Sequence, residues 1–482
     1  MAPRRRLGKI PQCPTPHLKG HKSEEIANAP SPVEEMGQRF QKFTERFAAH
    51  FRRGTRSVSL QAQMYLQGLM QASRKNMERM EEVVPKCEYQ SLHHFVSDSE
   101  WEARAVLDQV AMEADRHLGG SADSGLLLDE SSFQKKGEMS VGVARQWSGR
   151  LGKVENCQVA VFASLVQGLY STLIDVRLYL PQEWTQDLKR CQAAGVPESE
   201  MILKSKADLA FEMVVHARQI GVRFSWVGVD GGYGKEPALL RRLEDHGEVF
   251  VAEVHRDQRI YLEDPDPCVP EKKGRRGKKP TRLQAQSAGQ RVDEWAAAQP
   301  AEGWQEIAVR PGTRGELRVE ALQGRVWLWD GSEPKARCWH VVAIRELASP
   351  ETIKYILSNA PVETSLDRLV QMQRQRFWIE RSFEDAKSES GLADYQVRGW
   401  IAWHHHMALV LMAMLFMLEE KLSNQESYPL LSCSDIEVLL AHFLPRRDVT
   451  VEEVVRQMEV RHEARRKAIE AAYRRQQLVD AG

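Results

Sequence analysis

Asp129, Asp230 and Glu380 are the side chains through which this sequence could do joint chemistry. Asp129 closes the apolar run SGLLLD, Asp230 closes FSWVGVD at a Gly-Gly turn, and Glu380 stands in the helical stretch LDRLVQMQRQRFWIERSFEDAKSESG, Leu366 to Gly391. Neighbouring parallel strands lie ~4.8 Å apart, so acids at their C-terminal tips can share one divalent cation while a helix crossing the sheet edge brings a third. Hard oxygen donors with open positions suit Mg²⁺ or Mn²⁺. Two such ions ~3.5–4 Å apart activate a water or a 3′-hydroxyl and stabilise the leaving oxygen at one phosphodiester. Taken singly, each acid has a plainer explanation: a turn or cap for Asp129, a D-G turn for Asp230, a surface ion pair for Glu380. Their order is harder to obtain by chance.

The helix carrying Glu380 adds to that pattern. At about 100° per residue, Gln373, Arg376, Glu380 and Lys387 fall within roughly 60° of one another. Glu384 joins the stripe, and Phe377, Trp378, Ile379 and Phe383 supply apolar bulk. Solvated helices scatter alternating charges, whereas here a carboxylate sits between two cations. From the helix alone, a site edge and a salt-bridged surface remain equally open readings.

The elements that must hold these residues follow from the rest of the chain. With 482 residues it can bury more than one core, at ~150 residues per domain. Its 67 basic and 67 acidic residues cancel, so net charge gives no argument for nucleic acid. Local runs do: the first 22 residues carry six Lys/Arg and no acid, and Glu271 to Arg282 carries seven against one Glu. Solvated tails are the commoner explanation of such runs. Seven scattered cysteines without C-x-x-C spacing suit a reducing cytoplasm and offer no zinc module. The start lacks an apolar h-region, so no secretory signal is expected. The longest apolar run, Met407 to Leu418, is 12 residues where a membrane span needs ~20, and reads as a buried helix.

In chain order, residues 1–34 read as a basic disordered tail. Residues 35–120 read as a helical bundle, a DNA-binding domain by its Arg52, Arg53, Arg56, Arg74, Lys75 and Arg79, with Ser99 and Glu102 forming a capping box. Residues 121–257 alternate as βββαβαβ, with acids at the tips of the first and fourth strands, the order of a ribonuclease-H-like core. Residues 258–350 read as a β-rich insertion punctuated by Gly315, Gly324 and Asp330-Gly331. The core resumes at 351–422 with the glutamate helix and a buried helix from Trp400 to Lys421, and 423–482 form a C-terminal helical region. The fold class expected is therefore α/β: a ribonuclease-H-like catalytic core with a β-rich insertion, an N-terminal helical bundle and C-terminal helices.

Three stretches, LLLDESSFQKKGEMSVGVARQWSGRLGKVENCQVAVF, WVGVDGGYG and RFWIERSFEDAKSESGLADYQVRGWIAWHHHMAL, resemble a bacterial insertion-sequence DDE transposase. The likeness is to the branch with a β-rich insertion before its glutamate, nearest the seven-zero-one group, and covers residues 57 to 420. It implies that Asp129, Asp230 and Glu380 are catalytic and hold two Mg²⁺ or Mn²⁺ ions per active site. That branch's glutamate helix reads Y-x2-R-x3-E-x6-K; Arg376, Glu380 and Lys387 match, while Gln373 replaces the tyrosine. Arg376 and Lys387 would grip the DNA backbone beside the scissile bond, with Gln373 hydrogen-bonding a phosphate. Lys135 and Lys136 are expected near the bound strand, with an exposed hairpin as the plain alternative. Trp304, Trp327, Trp329 and Trp339 could stack a flipped base, though four tryptophans in a small β unit are more often its core. His404, His405 and His406 point to three faces of one helix and share no ion.

The implied function is an enzyme acting on double-stranded DNA: a transposase that binds terminal inverted repeats and carries out metal-dependent cleavage and strand transfer. It would work as a homodimer on DNA, in the bacterial cytoplasm at the nucleoid, without a membrane. The alternative is a non-enzymatic DNA-binding regulator derived from such an element, and a third is a general nuclease of the same fold. Metal-dependent nicking separates the first two; indifference to end sequence marks the third.

Overall fold

A computed structural model describes residues 33, 35–272, 278–312 and 315–480. The basic tail, residues 1–34 apart from Val33, and positions 273–277 of the basic loop lie outside the described residues.

Five α-helices come first among the described residues: α1 (Met36–Arg46), α2 (Ser59–Gln71), α3 (Met77–Val83), α4 (Tyr89–Ser97) and α5 (Ala103–Leu118). Ser99 does not cap α5. Its hydroxyl donates to the His94 carbonyl, and the N-cap residue is Glu102, which makes no side-chain cap. Ser99 is spent closing the end of α4, so the expected capping box does not form. The bundle's cations are also divided. Lys75 is 2% exposed and ion-paired with Glu437, and Arg79 pairs with Glu82, whereas Arg52, Arg53 and Arg56 stand on a short exposed hairpin.

The central sheet starts with β1 (Gly125–Gln134), β2 (Ala144–Ser148), β3 (Lys153–Gln167) and β4 (Tyr170–Leu178). After helix α6 (Lys206–Gln219) come β5 (Trp226–Val229), α7 (Pro237–Asp245) and β6 (Phe250–Val254). Then β7 (Gln305–Gly312), β8 (Gly315–Leu328), β9 (Arg337–Glu346) and β10 (Ser349–Ser358) follow. The ten strands make one mixed sheet, ordered β7-β8-β9-β10-β6-β5-β1-β3-β2, with β4 also on β3. Strand β1 is antiparallel to β3 and parallel to β5, and β5 is parallel to β6, while β10 adds antiparallel to β6. Strands β7–β10 thus continue the central sheet, while Arg259–Ile260 and Gln290–Arg291 pair in a small sheet of their own.

Two expectations change here. Gly324 reads as a turn in the sequence, yet β8 runs straight through it. A Cβ there would sit 2.7 Å from the Trp295 ring, so the glycine makes room for a tryptophan packed on the strand. Strand β10, SPETIKYILS, was not anticipated. Its exposed first half carries polar residues, and only its last four residues are buried in succession.

Helices α8 (Leu366–Gln375) and α9 (Phe377–Ser388) cross one face of the sheet, followed by α10 (Trp400–Ser423), α11 (Cys433–Phe443) and α12 (Val451–Asp480). Helix α10 is long and apolar enough to cross a membrane, but 89% of its most apolar window is buried inside the fold. It joins the N-terminal helices to the sheet: Glu420 accepts two hydrogen bonds from Arg39, at 2.8 and 2.6 Å, and His405 stacks on Trp101 at 3.7 Å.

Candidate active site

Register brings the two aspartates together. Leu128 of β1 lies opposite Val229 of β5 in a parallel ladder, so the next step along each strand is Asp129 and Asp230. Asp129 is not a strand tip, because β1 continues to Gln134 against β3. It is β5 that ends there, opening the space at Asp129. Side chains alternate along a strand, so Asp129 shares a face with Leu127 and Asp230 with Gly228; since Leu127 and Gly228 are partners, both acids point to the same side.

Each aspartate has one oxygen held by the backbone. Oδ1 of Asp230 accepts from the amides of Gly232 and Tyr233, at 3.0 and 3.1 Å, capping the turn Gly231–Gly234. The turn can sit against β6 only because residue 234 is glycine: a Cβ there would lie 1.8 Å from the Glu253 carbonyl oxygen. Oδ1 of Asp129 accepts from the Glu130 amide at 2.7 Å. The other oxygen of each is left to the site.

Helix α9 delivers Glu380 to that face. Phe162, the partner of Asp129 on β3, packs edge-on against Phe383, with ring centroids 5.2 Å apart. Ser382 and Ser171 of β4 share a 2.9 Å hydroxyl contact. The long helix anticipated from Leu366 to Gly391 is in fact two, meeting at Arg376. There the Arg376 amide bonds the Gln373 carbonyl three residues back, at 3.1 Å, a tightened 3₁₀ turn. The Arg376 backbone stays helical, at φ −57 and ψ −28, so the four-residue spacing to Glu380 survives the break.

The Arg376 guanidinium is the centre of the arrangement. Nε lies 3.1 Å from Glu253 Oε1, one terminal nitrogen 3.5 Å from Asp129 Oδ2, and the other 3.0 Å from Glu380 Oε1. Its side chain is 12% exposed, while that of Glu380 is 54% exposed. Burial, then the charge of Asp230, pushes the Asp129 carboxyl up to about 7, against the pull of Arg376. Tyr233, beside both aspartates, is shifted upward by burial and by the negative charges of Glu130, Asp129 and Asp230, and its hydroxyl has no hydrogen-bond partner.

Glu253 is the participant that sequence reading missed. It sits on β6 in VFVAEVH, an acid inside an apolar strand, and that was the available signal. Gln373 is buried, 3% exposed, and donates to Glu253 at 2.7 Å. The structure therefore turns Gln373 inward instead of presenting it to a phosphate.

The remaining expected residues are dispersed. Lys387 is half-buried on α9, its Nζ 5.7 Å over the Phe383 ring. Lys135 and Lys136 lie six and seven residues beyond Asp129 along an extended chain, roughly 20 Å away at ~3.3 Å per residue. Lys135 is not on an exposed hairpin: its Nζ stands 3.5 Å over the Tyr395 ring, and burial lowers it to about 8. Lys136 is exposed. Trp339 is buried in the sheet at 3% exposure, Trp304 lies under Arg345 at 4.0 Å, and Trp329 donates to the Glu333 carbonyl at 2.7 Å. Each of the three histidines has its own partner: Trp400 O for His404, Val96 O and Trp101 O for His405, Tyr65 and Gly391 O for His406.

Among the described residues no three His, Cys, Asp or Glu side chains gather tightly enough to hold a metal as they stand. Arg376 supplies the positive charge between Asp129 and Glu380. The donor set still fits a hard divalent cation. Two adjacent carboxylates each offer one oxygen not held by the backbone, that of Asp129 touching only Arg376 at 3.5 Å, and their mutual repulsion, visible in the raised Asp129, is relieved by such an ion.

Two half-buried aspartates on neighbouring strands, one within its strand and one just past the end of the other, thus stand beside a helix-borne glutamate on a central mixed α/β sheet. Residues 46–316, more than half of the chain, match the DDE superfamily endonuclease model, and the chain belongs to that family. The matched segment includes both aspartates and stops before Glu380. A "Probable transposase for insertion sequence element IS701" from Microchaete diplosiphon is 21% identical over 328 residues, covering 67% of this chain and 73% of that protein.

Proposed function

We propose that this protein is an insertion-sequence transposase that binds terminal inverted repeats of double-stranded DNA, cuts at the element's ends and joins them to target DNA. One observation carries the reading: a single guanidinium, Arg376, is packed against carboxylates from β1, β6 and α9, and the β1 carboxylate, Asp129, in turn neighbours Asp230. Such crowding of acids costs stability and has a use where cations and a polyanion must be handled together.

Strand order supports the finer fold. Strands β4-β3-β1-β5-β6, with the last three parallel, have the arrangement of a ribonuclease-H-like core, to which β7–β10 add as an insertion before the glutamate. Residues 35–120, with the exposed Arg52, Arg53 and Arg56, serve as the DNA-binding unit, and two copies assemble on paired ends.

In this mechanism Asp129, Asp230 and Glu380 would hold two Mg²⁺ or Mn²⁺ ions. When bound, these ions lower the cost of attack by water or a 3′-hydroxyl and of the leaving oxygen's charge. Arg376 exchanges its hold on Asp129 and Glu380 for the phosphate backbone, while Glu253 and Gln373 keep its Nε end in place. Lys387 extends the same grip about three turns along α9.

The test is cleavage of a duplex carrying the element's ends with Mg²⁺ or Mn²⁺, using Asp129→Ala, Asp230→Ala and Glu380→Ala. Intact end binding with lost cleavage in all three supports the assignment. Undiminished cleavage removes a residue from the site. A wild-type chain that shifts the DNA without cutting it is the regulator instead, and cutting indifferent to end sequence marks a general nuclease.

A further inference from the structure

Beside the acids lie two arginines that the proposed reaction has not used. A cavity of about 280 Å³ opens next to Glu380, between α8 and the β7–β8 hairpin, walled by Arg310, Arg374, Lys354, Glu346 and Phe377. Arg310 comes from β7, one of the added strands. Its guanidinium stands 4.4 Å over the Phe377 ring and 5.2 Å from that of Trp378. Among the described residues no carboxylate pairs with it. Burial, and then the Arg374 guanidinium beside it, both work against its charge, although a guanidinium stays protonated.

Arg374, on α8, is equally poorly matched. Its side chain is 14% exposed, its terminal nitrogens reach Glu346 Oε1 only at 3.4 Å, and its buried Nε has no partner. The two arginines also wall an adjoining cavity with Gln375, whose Oε1 is likewise unpartnered. Partly desolvated cations with so few acceptors, none for Arg310 among the described carboxylates and one long contact for Arg374, are costly. They persist here at the mouth of a site that handles phosphodiesters, and an anion with several oxygens would satisfy both forks at once.

We propose that Arg310 and Arg374 form a phosphate subsite that grips the DNA strand flanking the scissile bond. The added strands thereby serve the reaction directly, by carrying Arg310 to the substrate. This inference rests on the transposase reading, and its test separates the two.

The experiment measures binding of the full chain to a fluorescein-labelled random-sequence duplex, without divalent metal, between about 50 and 200 mM salt. Arg310→Met keeps an apolar stem on Phe377 and Trp378 but removes the charge. It should lower the slope of log K against log salt by about 0.9, and Arg310→Met with Arg374→Gln by about 1.8. Arg310→Lys should restore the slope, and Arg318→Met, on the exposed surface of β8, should leave it unchanged. An unaltered slope in a natively melting Arg310→Met overturns the subsite. So does an Arg310→Lys variant as weak as Arg310→Met, since packing and not charge would then have been lost. A wild-type chain that binds no duplex overturns the transposase reading as well; one that binds with slopes insensitive to these changes overturns the subsite alone.

Discussion

The face around Asp129 and the interior of α10 both hold several ionisable side chains away from water, and they treat them in opposite ways. Around His405 and His406 every ring nitrogen faces a polar partner. His405 sits between the Val96 and Trp101 carbonyls at 2.8 and 2.7 Å, and His406 bridges Tyr65 and the Gly391 carbonyl at 2.9 and 3.2 Å. Around Asp129 the polar groups are not all so matched. Like charges crowd one another, and the Tyr233 hydroxyl, Gln373 Oε1, Arg374 Nε and Gln375 Oε1 are all left without partners. Buried polar groups that are satisfied specify a fold; those held unsatisfied await something that is not part of the chain.

That contrast can be broken by substitutions on either side. On the acid face, Asp129→Asn should abolish metal-dependent cleavage, a loss of at least about 10³-fold. In metal-free urea unfolding the same change should raise stability by about 1–3 kcal/mol, because it removes a buried negative charge facing another. A less stable Asp129→Asn would place the acid among the structural groups. Glu253→Gln, which frees the Nε end of Arg376, should lower cleavage or metal affinity by about 10–100-fold with an unchanged melting temperature.

In the α10 interior the order reverses. His405→Ala removes the ring that lies between two buried carbonyls, leaving the one it donates to without a partner, and opens a cavity under Trp101, so unfolding free energy should fall by about 2–4 kcal/mol while cleavage per folded molecule stays the same. The smallest expected effect is in pH. Burial holds His406 down to about 3, so the unfolded chain takes up its proton first, near the ordinary value of ~6.5. Its stabilising contribution is whole above that value and is lost as pH falls toward 3. His406→Gln should flatten the acid limb of stability measured between about pH 6.5 and 4.

The difference between these regions also explains what the sequence disclosed. Asp129 and Asp230 were legible because each closes an apolar run, and strand register does the rest. Glu380 and Arg376 were legible from helical spacing, which the break at Arg376 leaves intact. Glu253 was not, because its meaning depends on α8 crossing β6, nor were Arg310 and Arg374, whose meaning depends on β7–β10 joining the edge of β6 and bringing one more strand over α8. Nothing local in SPETIKYILS announces that pairing. Gln373 was misplaced for a related reason: helical phase gives the face but not the neighbour, and the neighbour is Glu253. Lys135 and Lys136 looked close to Asp129 because six residues are few along a chain, but in an extended strand they span the width of the sheet.

Anomalous diffraction from crystals soaked in Mn²⁺ addresses the acids most directly. A peak between Asp129 and Asp230, with the Arg376 guanidinium drawn off Asp129 and the peak lost in Asp230→Asn, is the predicted result. Crystals that take up Mn²⁺ elsewhere while Arg376 keeps its contacts to Asp129 and Glu380 would contradict the assignment of these carboxylates as the metal-holding site.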